Sequence, residues 1–322
     1  MLTIGIDVGG TKVLGVAVDS ADPSTVRAER RVPTPEGGAG LVGAVADLVA
    51  ALAELVVDAG PPAAIGVGVP GLVDRSGTLH VGPHLRHITD VPLAALLADE
   101  IGLPAVVDND ANCHAVAEQR GGAAEGAAEA LVVTFGTGIG AGIITGGTLL
   151  HGANGFAGEP GHMIVDPNGP PCPCGKRGCW ERFASGTGLG RLARDAAHGG
   201  RLDAAVALAG GDPDAVRGEH VTAAAGLGDA AALGLVDELA RWIALGLANL
   251  ANILDPGVIV IGGGLVEAAD LLLPPVRDHF GDLVMAGDRR PPLPIVPARL
   301  GEHAGAIGAA VLAAEPDQWM LR

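Results

Sequence analysis

Two stretches of the chain share one pattern of hydrophobic and polar positions. In each, a short apolar run leads into a turn of glycine and threonine, and a second apolar run follows. The first stretch joins Leu2–Ile6 to Val13–Val18, and the second joins Leu131–Phe135 to Ile139–Thr145. Apolar runs of this length bounded by glycine predict β-strands joined by tight turns. Their recurrence predicts two related halves that face a shared cleft.

Between and after these stretches, further strands and helices are predicted. Helical spacing is clearest in Leu235–Leu254, where the apolar residues recur every three or four positions before Asp255-Pro256 ends the helix. Residues 146–185 are rich in proline and predict a long loop that something must hold in place. The other predicted helices are 41–57, 93–101 and 302–314, and the other predicted strands are 26–32, 63–69, 105–107 and 258–261.

Composition narrows the classes of protein. The chain has 322 residues, which favours two lobes over one core, and 48% are hydrophobic, which excludes an extended disordered chain. Lys and Arg number 20 against 37 Asp and Glu, a formal net charge of −17. A field of that sign repels phosphate backbones and anionic membranes, so we expect neither nucleic acid nor membrane as a partner. The apolar segment 130–150 contains six glycines, which argues against a membrane helix.

Four metal-binding side chains lie close together in the proline-rich segment. His162, Cys172, Cys174 and Cys179 fall within 18 residues. One imidazole and three thiolates complete a tetrahedral zinc site with no open position, which is typical of structural zinc. The alternative is a group of buried thiols without a metal. Three clustered cysteines, with Cys113 apart from them, are poor material for a disulfide framework and indicate a reducing compartment.

The two glycine turns are candidates for phosphate binding. Glycines let backbone N–H groups approach phosphate oxygens, and threonine hydroxyls add further donors. A carboxylate just before the first turn suits Mg²⁺ held through water. Each turn alone also fits an ordinary hairpin, and neither is a Walker loop, because GxxxxGK[ST] is absent. The residues concerned are Asp7, Gly9, Gly10, Thr11, Lys12, Thr137 and Gly138.

Several carboxylates are candidates for acid–base chemistry or for binding hydroxyl groups. Asp110 follows a predicted strand and opens a predicted helix, so it can accept a hydroxyl proton or simply cap the helix. The neighbouring Asp108 and the helix N-terminus act on its protonation in opposite directions, and the sequence leaves that balance open. Glu159 and Glu181 flank the zinc ligands and suit hydrogen bonds to sugar hydroxyls, or are solvated surface residues.

In combination, these segments resemble the ROK family of sugar kinases and repressors, over nearly the whole chain from Ile4 to about Ala314. The likeness is closest to the glucokinases of actinobacterial type. The segments that carry it are Asp7-Val8-Gly9-Gly10-Thr11-Lys12, Gly66-Val67-Gly68-Val69-Pro70-Gly71, Asn109-Asp110-Ala111-Asn112, Gly136-Thr137-Gly138-Ile139-Gly140, Glu159-Pro160-Gly161-His162 and Cys172–Glu181.

The resemblance implies an α/β fold of the actin/hexokinase (ribonuclease H-like) type, with two lobes around a central cleft. A small lobe would span 1–119, with a C-terminal helix at about 302–322 returning to it. A large lobe would span 120–301 and carry the zinc loop 162–179. The resemblance also implies a cytoplasmic homodimer or homotetramer that binds ATP with Mg²⁺, holds a structural Zn²⁺ and phosphorylates a hexose.

Roles for single residues follow from the same resemblance. Asp110 corresponds to the base that deprotonates the sugar 6-hydroxyl, and His162 serves both zinc and sugar. The other residues that correspond to sugar ligands are Gly71, Asn109, Glu159 and Glu181. Those that correspond to nucleotide ligands are Asp7, Gly9, Gly10, Thr11, Lys12, Thr137, Gly138, Gly262, Gly263 and Gly264.

One departure from the family pattern concerns the choice of sugar. Pro83-His84-Leu85 stands where these glucokinases usually carry a Pro-Asn pair that touches the sugar. Glucose is therefore the first expectation, with N-acetylmannosamine, allose, mannose and fructose as alternatives and polyphosphate as an alternative donor. A sugar-responsive regulator and a non-catalytic zinc scaffold are further alternatives. ROK repressors carry a helix-turn-helix domain before the first strand. In this chain the turn after Asp7 begins six residues from Met1, so we expect no room for such a domain.

Overall fold

The computed structural model describes residues 1–82 and 88–319. The strands are β1 (Leu2–Val8), β2 (Lys12–Asp19), β3 (Asp22–Pro33), β4 (Ile65–Val69), β5 (Leu72–Val73), β6 (Leu79–Val81), β7 (Thr89–Val91), β8 (Ala105–Asn109), β9 (Ala130–Phe135), β10 (Ile139–Thr145), β11 (Thr148–Leu149), β12 (Val258–Gly262) and β13 (Ile295–Pro297). The helices are α1 (Gly38–Leu55), α2 (Leu93–Ile101), α3 (Asp110–Gly121), α4 (Glu181–Ala184), α5 (Gly186–His198), α6 (Asp203–Leu208), α7 (Gly218–Gly226), α8 (Ala230–Leu254), α9 (Ala269–Leu283), α10 (Ala304–Ala314) and α11 (Pro316–Trp319).

The chain packs into two compact units. Unit 1 contains Met1–Val133, Ala141–Gly158 and the chain from Ala298 onward, and unit 2 contains Thr134–Gly140 and Glu159–Pro297. Both combine helices and strands, so the expected α/β class is confirmed. The predicted lobes 1–119 and 120–301 remain a prediction about domains.

The sheet of unit 1 has the strand order β3-β2-β1-β4-β8. Strand β1 is antiparallel to β2 and parallel to β4, and β4 is parallel to β8. The carboxyl ends of β1 and β8 therefore lie at one edge of the sheet, which is where open α/β sheets bind ligands. That edge carries the turn after Asp7 and the Asn109-Asp110 pair.

Helix α10 lies against this sheet at unusually close range. A Cβ atom on Gly5 of β1 would fall 1.8 Å from Ala306 O, and one on Gly66 of β4 would fall 1.8 Å from Ala309 O. On the other side of the helix, a Cβ atom on Gly308 would fall 1.7 Å from Cys113 O of α3. Only glycine lets these backbones approach so closely. The last long helix is thus an integral part of unit 1.

Helix α1 is the one element in the described residues that could cross a membrane by length and composition alone. Its Leu41, Val45, Leu48, Val49 and Leu52 are buried in the hydrophobic core of unit 1. The helix therefore packs as a core element of unit 1.

Strands β9 to β13 form the second main sheet, in the order β11-β10-β9-β12-β13. Within unit 2, the fully buried Trp180 fits over Gly246 of α8, where a Cβ atom would fall 2.0 Å from the indole ring. The Trp180 ring also meets Phe135 edge-on, with ring centroids 5.5 Å apart. This packing ties the end of β9 to the segment that follows the last cysteine.

Most of the elements predicted from the sequence are present, and the differences have local causes. Helix α8 begins five residues earlier than predicted because Asp229 caps it, accepting a hydrogen bond from the Ala232 amide at 2.8 Å. Helices α5, α6 and α7 were not predicted, since Gly and Ala dominate 186–226 and blur the apolar spacing. Helix α9 was missed because Pro274 and Pro275 lie inside it.

Candidate active site

The first glycine turn joins β1 to β2 at the sheet edge of unit 1. The Gly9 amide donates to Lys12 O at 2.9 Å, and the Thr34 hydroxyl donates to Gly9 O at 2.7 Å. Gly10 and Thr11 at its tip are exposed. The turn therefore presents backbone N–H groups to solvent, as a phosphate site requires.

Lys12 is held in an ion-pair network on the surface of unit 1. Its ammonium lies 3.1 Å from Glu302 Oε2, and Arg31 binds both oxygens of the same carboxylate at 3.1 and 2.7 Å. Arg31, and then Lys12, lower the pKa of Glu302 to about 2. Lys12 is thus close to the first turn, but in this structure its charge is compensated by Glu302.

Asp7 ends the same strand in an environment unfavourable to a lone charge. Burial and the nearby Asp110 carboxylate raise the pKa of Asp7 to about 7, although Lys12 opposes the shift. A Cβ atom on Gly305 at the start of α10 would fall 2.8 Å from Asp7 Cγ. A carboxyl group disfavoured in its charged form by a second carboxylate gains from a divalent cation, and oxygen donors are what Mg²⁺ prefers. The residues present therefore fit Mg²⁺.

Asn109 and Asp110 occupy the junction of β8 and α3, as predicted. Asn109 is the helix cap: its Oδ1 accepts the amides of Ala111 at 2.8 Å and Asn112 at 3.2 Å. Its Nδ2 donates to Gly71 O at 3.1 Å. The alternative that Asp110 is the N-cap is therefore wrong, because Asp110 is the first residue of the helix itself. Its carboxylate stands at the helix N-terminus, which favours negative charge.

Gly71, the third predicted sugar residue of unit 1, is fixed by its backbone. Its φ of 122° lies outside the range of other residues, and a Cβ atom there would fall 1.9 Å from Val81 O. Gly71 and Asn109 are thus locked together. His84 lies outside the described residues.

The second glycine turn joins β9 to β10 and rests on the first turn of α5. The Gly186 amide donates to Gly136 O at 2.9 Å, and the Thr187 hydroxyl donates to Thr137 O at 2.7 Å. The predicted phosphate residue Thr137 is exposed at the tip. A glycine turn beside a helix N-terminus is a favourable setting for phosphate oxygens.

The carboxylate of Glu181 holds the second turn in place. Its Oε2 accepts the Ile139 amide at 3.0 Å, and a Cβ atom on Gly138 would fall 2.4 Å from the same oxygen. Gly161 also packs closely against this turn, since a Cβ atom there would fall 2.4 Å from Ile139 O. The predicted sugar ligand Glu181 therefore also positions the predicted phosphate turn.

The four predicted zinc ligands come together in unit 2. The ligand atoms of His162, Cys172, Cys174 and Cys179 all lie within 4.8 Å of one another. Cys174 Sγ is 3.6 Å from Cys179 Sγ, and Cys172 Sγ is 3.9 Å from His162 Nδ1. Zn–S bonds of about 2.3 Å in a tetrahedron separate sulfurs by about 3.8 Å. The donor set and spacing therefore suit structural zinc.

The zinc ligands are carried on a folded segment that also holds Glu159. Pro160–His162 forms a 3₁₀ turn in which the His162 amide donates to Glu159 O at 3.2 Å. Ile164 pairs with Cys179 across an antiparallel bridge, and the Trp180 amide donates to Met163 O at 2.8 Å. Glu159 and Glu181 thus lie at the two ends of the segment that carries the predicted zinc ligands.

Unit 2 contains a cavity of 970 Å³. It is bounded by the second turn, α5 from Gly186 to Arg194, Arg217 with the whole of α7, and the chain from Gly264 to Leu271. Thr137 and Gly264 are the predicted nucleotide residues that line it. Gly262 ends β12, and Gly263 supports the wall with a φ of 80°, where a Cβ atom would fall 2.5 Å from Phe135 O.

The sequence interpretation missed most of the walls of this cavity. They belong largely to α5 and α7, two helices that the apolar spacing did not reveal. The only local signal was the serine at 185, a typical N-cap that accepts the Gly188 amide at 3.1 Å. The missed lining residues include Thr187, Arg194, Arg217, Glu219, Thr222, Leu265 and Leu271.

Comparison with known proteins agrees with this geometry. The ROK family model matches residues 3–316. The chain is 39% identical to a glucokinase of Streptomyces coelicolor, over 99% of both chains. Among solved structures, a ROK family glucokinase from Streptomyces griseus in complex with glucose and AMPPNP is 38% identical, with a TM-score of 0.87 over 98% of this chain and 100% of the other. A ROK hexokinase from Thermus thermophilus is 33% identical, with a TM-score of 0.79 over 98% and 99%. The expected actin/hexokinase-like fold is thereby confirmed.

Proposed function

This chain belongs to the ROK family, and we propose that it transfers the γ-phosphate of ATP to the 6-hydroxyl group of glucose. Its relatives named glucokinase, and the bound glucose and AMPPNP of one solved relative, support this activity.

The cavity of unit 2 is the observation that carries the proposal. Its 970 Å³ is the size of a pocket for a nucleotide-sized ligand. One side offers the Thr137 turn and the N-terminus of α5 to phosphates, and another offers the apolar side chains of Leu265 and Leu271 to a base. This lining favours ATP over polyphosphate, because a linear chain of phosphates has no group that uses the apolar wall. The phosphate ligands proposed in unit 1 are Gly9, Gly10, Thr11 and Lys12.

Asp110 is the proposed general base. It would accept the proton of the sugar 6-hydroxyl as that oxygen attacks the γ-phosphate in line. Mg²⁺, held through water near Asp7, would supply positive charge to the phosphates when it is bound with ATP. Gly71, Asn109, Glu159, His162 and Glu181 would hold the other hydroxyls of the sugar.

The proposed role of zinc is structural. His162 Nδ1 lies on the side of Cys172, which leaves Nε2 to a hydroxyl group. Zinc would thereby fix the imidazole and, through the folded segment around it, both Glu159 and Glu181. None of the four cysteines, all of which lie in the described residues, forms a disulfide. This agrees with a reducing compartment, and we propose a cytoplasmic homodimer or homotetramer.

The test is hexose-dependent ADP release, measured with glucose, mannose, allose, fructose and N-acetylmannosamine. We expect the highest kcat/KM with glucose. In Asp110→Asn, kcat should fall by about 10² to 10⁴-fold while the glucose Kd changes little, because the amide keeps the shape but cannot take the proton. Asp99→Asn, at an exposed position of α2, is the matched control. Normal turnover in Asp110→Asn would contradict the assignment of the base.

A further inference from the structure

A buried histidine contacts the residue two positions before the proposed base, and the mechanism above gives this histidine no role. His151 follows β11 and is 7% exposed. Its Nε2 lies 2.7 Å from Oδ2 of Asp108, whose side chain is itself buried. Both residues belong to unit 1.

Asp108 is connected directly to the residues that would bind and deprotonate the sugar. Its Oδ1 accepts the backbone amide of Asn109 at 2.7 Å and the side-chain amide of Asn112 at 2.8 Å. One carboxylate thus fixes the last peptide of β8 and a side chain in the first turn of α3. Asn109 makes the first of these contacts, and Asp110 lies between them in the chain.

The Asp108 carboxylate needs a partner to remain where it is. Its side chain is buried, and the oxygens of a buried carboxylate need hydrogen-bond donors in place of water. His151 supplies the compensating contact, because an imidazole N–H at 2.7 Å donates to Oδ2 and leaves Oδ1 to its two amide donors.

From this geometry we infer that His151 is a positioning residue for phosphoryl transfer: through Asp108 it holds Asn109 and Asp110 in reactive orientation. The inference rests on the proposed function, because Asp110 must be the base. The chain after His151 continues through Gly158 to Glu159, and the Ala157 amide donates to His151 O at 3.1 Å. This backbone hydrogen bond, which any residue at 151 would make, ties the segment that leads to Glu159 to the position of His151.

The experiment compares His151→Leu with His151→Gln in hexose-dependent ADP release by the full-length protein. The leucine variant removes the donor to Asp108, and its kcat should fall by roughly 10 to 100-fold, since small misplacements of reacting groups have effects of that size. Its KM for ATP should change less than about threefold. The glutamine variant keeps an N–H donor and should recover most of the lost kcat. His279→Leu, which breaks the 2.9 Å surface pair with Asp237, is the matched control and should leave kcat unchanged.

A double variant separates positioning from a general loss of structure. If His151 acts through Asp108, the two substitutions should not add. The double variant His151→Leu/Asp108→Asn should then have about the same kcat as whichever single variant is slower. Thermal unfolding of each variant would confirm that the folded protein is being compared. Unchanged kcat in a folded His151→Leu, or no recovery with glutamine, would overturn the inference alone. A wild-type protein without hexose-dependent ADP release would overturn the proposed function, and this inference with it.

Discussion

The turn at Gly9–Thr11 and the turn at Gly136–Gly138 occupy equivalent places in the two similar strand pairs, yet their neighbours differ in kind. The first is braced by the residue that follows β3, whose hydroxyl donates to Gly9 O, and lies beside an exposed network of Lys12, Arg31 and Glu302. The second is braced by the first turn of α5 and by the Glu181 carboxylate on Ile139 N.

The two turns are thus held by different kinds of interaction although their sequences are similar. Exposed ion pairs contribute little and weaken with salt, whereas a carboxylate that accepts a part-buried amide is difficult to replace. The second turn also depends on the zinc segment, because Glu181 follows Cys179 by two residues. Changes near the zinc cluster should therefore be felt at the second turn and not at the first.

Loss of zinc should have the largest effect, because it should loosen the second turn and leave the first turn unchanged. Cys179→Ser replaces a fully buried ligand, and structural zinc in small peptides contributes about 10–16 kcal/mol. We expect zinc to be lost and Tm to fall by more than about 10 °C. Hydrogen exchange should quicken at Ile139 while the Gly9 amide stays protected.

Cys113→Ala, at a buried thiol outside the cluster, is the control for this experiment. It should leave the zinc content at the wild-type level. Equal protection of Ile139 in Cys179→Ser and in the wild type would contradict the dependence of the second turn on the metal.

A smaller effect is expected from alanine in the turns themselves. In Gly138→Ala the new methyl group would fall 2.4 Å from Glu181 Oε2, which must then give up its hydrogen bond to Ile139. Loss of a hydrogen bond to a charged group costs about 1.5–3 kcal/mol, which predicts a rise of roughly 10 to 100-fold in KM for ATP.

Gly9→Ala is the matched change in the first turn. Its Cβ atom would meet Lys12 O at 3.0 Å, so the turn would have to open by a few tenths of an ångström, less than the contact at Gly138 demands. We expect a smaller rise in KM for ATP than in Gly138→Ala, and the reverse order would mean that the first turn is the more constrained one.

The smallest effect should come from Glu302→Gln. The carboxylate is about half exposed, so we expect Tm at pH 7 to change by about 2 °C or less. Its ion pairs lower the pKa of Glu302 from the usual 4.5 to about 2. Their stabilising contribution is therefore present above about pH 4.5 and is lost as the pH falls towards about 2.

Thermal unfolding of Glu302→Gln and wild type at several pH values would measure that contribution. The difference between them should be present at neutral pH and should disappear in acid. A difference that grew as the pH fell would show that Glu302 acts in some other way.

Motifs with specific spacing allowed much of the site to be predicted. The zinc ligands are close in sequence and chemically distinctive, so four residues within one short segment defined the cluster. Asp110 was placed at the start of α3 because a strand and then a helix were visible around it. Local order and residue type were sufficient in both cases.

Other parts of the site depend on contacts between residues that are distant in the chain. The pairing of His151 with Asp108 spans 43 residues, and nothing in the spacing around His151 sets it apart. The pairing of Lys12 with Glu302 spans 290 residues. The sequence suggested that Asp108 acts directly on the charge of Asp110. It could not reveal that the carboxylate of Asp108 is hydrogen-bonded to His151 and Asn112.

The glycine-lined seat of α10 has a consequence for synthesis. Gly5 and Gly66 leave room for a helix backbone, and the residues that fill it, Ala304–Ala314, are translated after the whole of unit 2. Until Ala304–Ala314 has been made and released, unit 1 lacks a layer of its core. The strands made first should therefore stay dependent on chaperones until α10 is available to cover them.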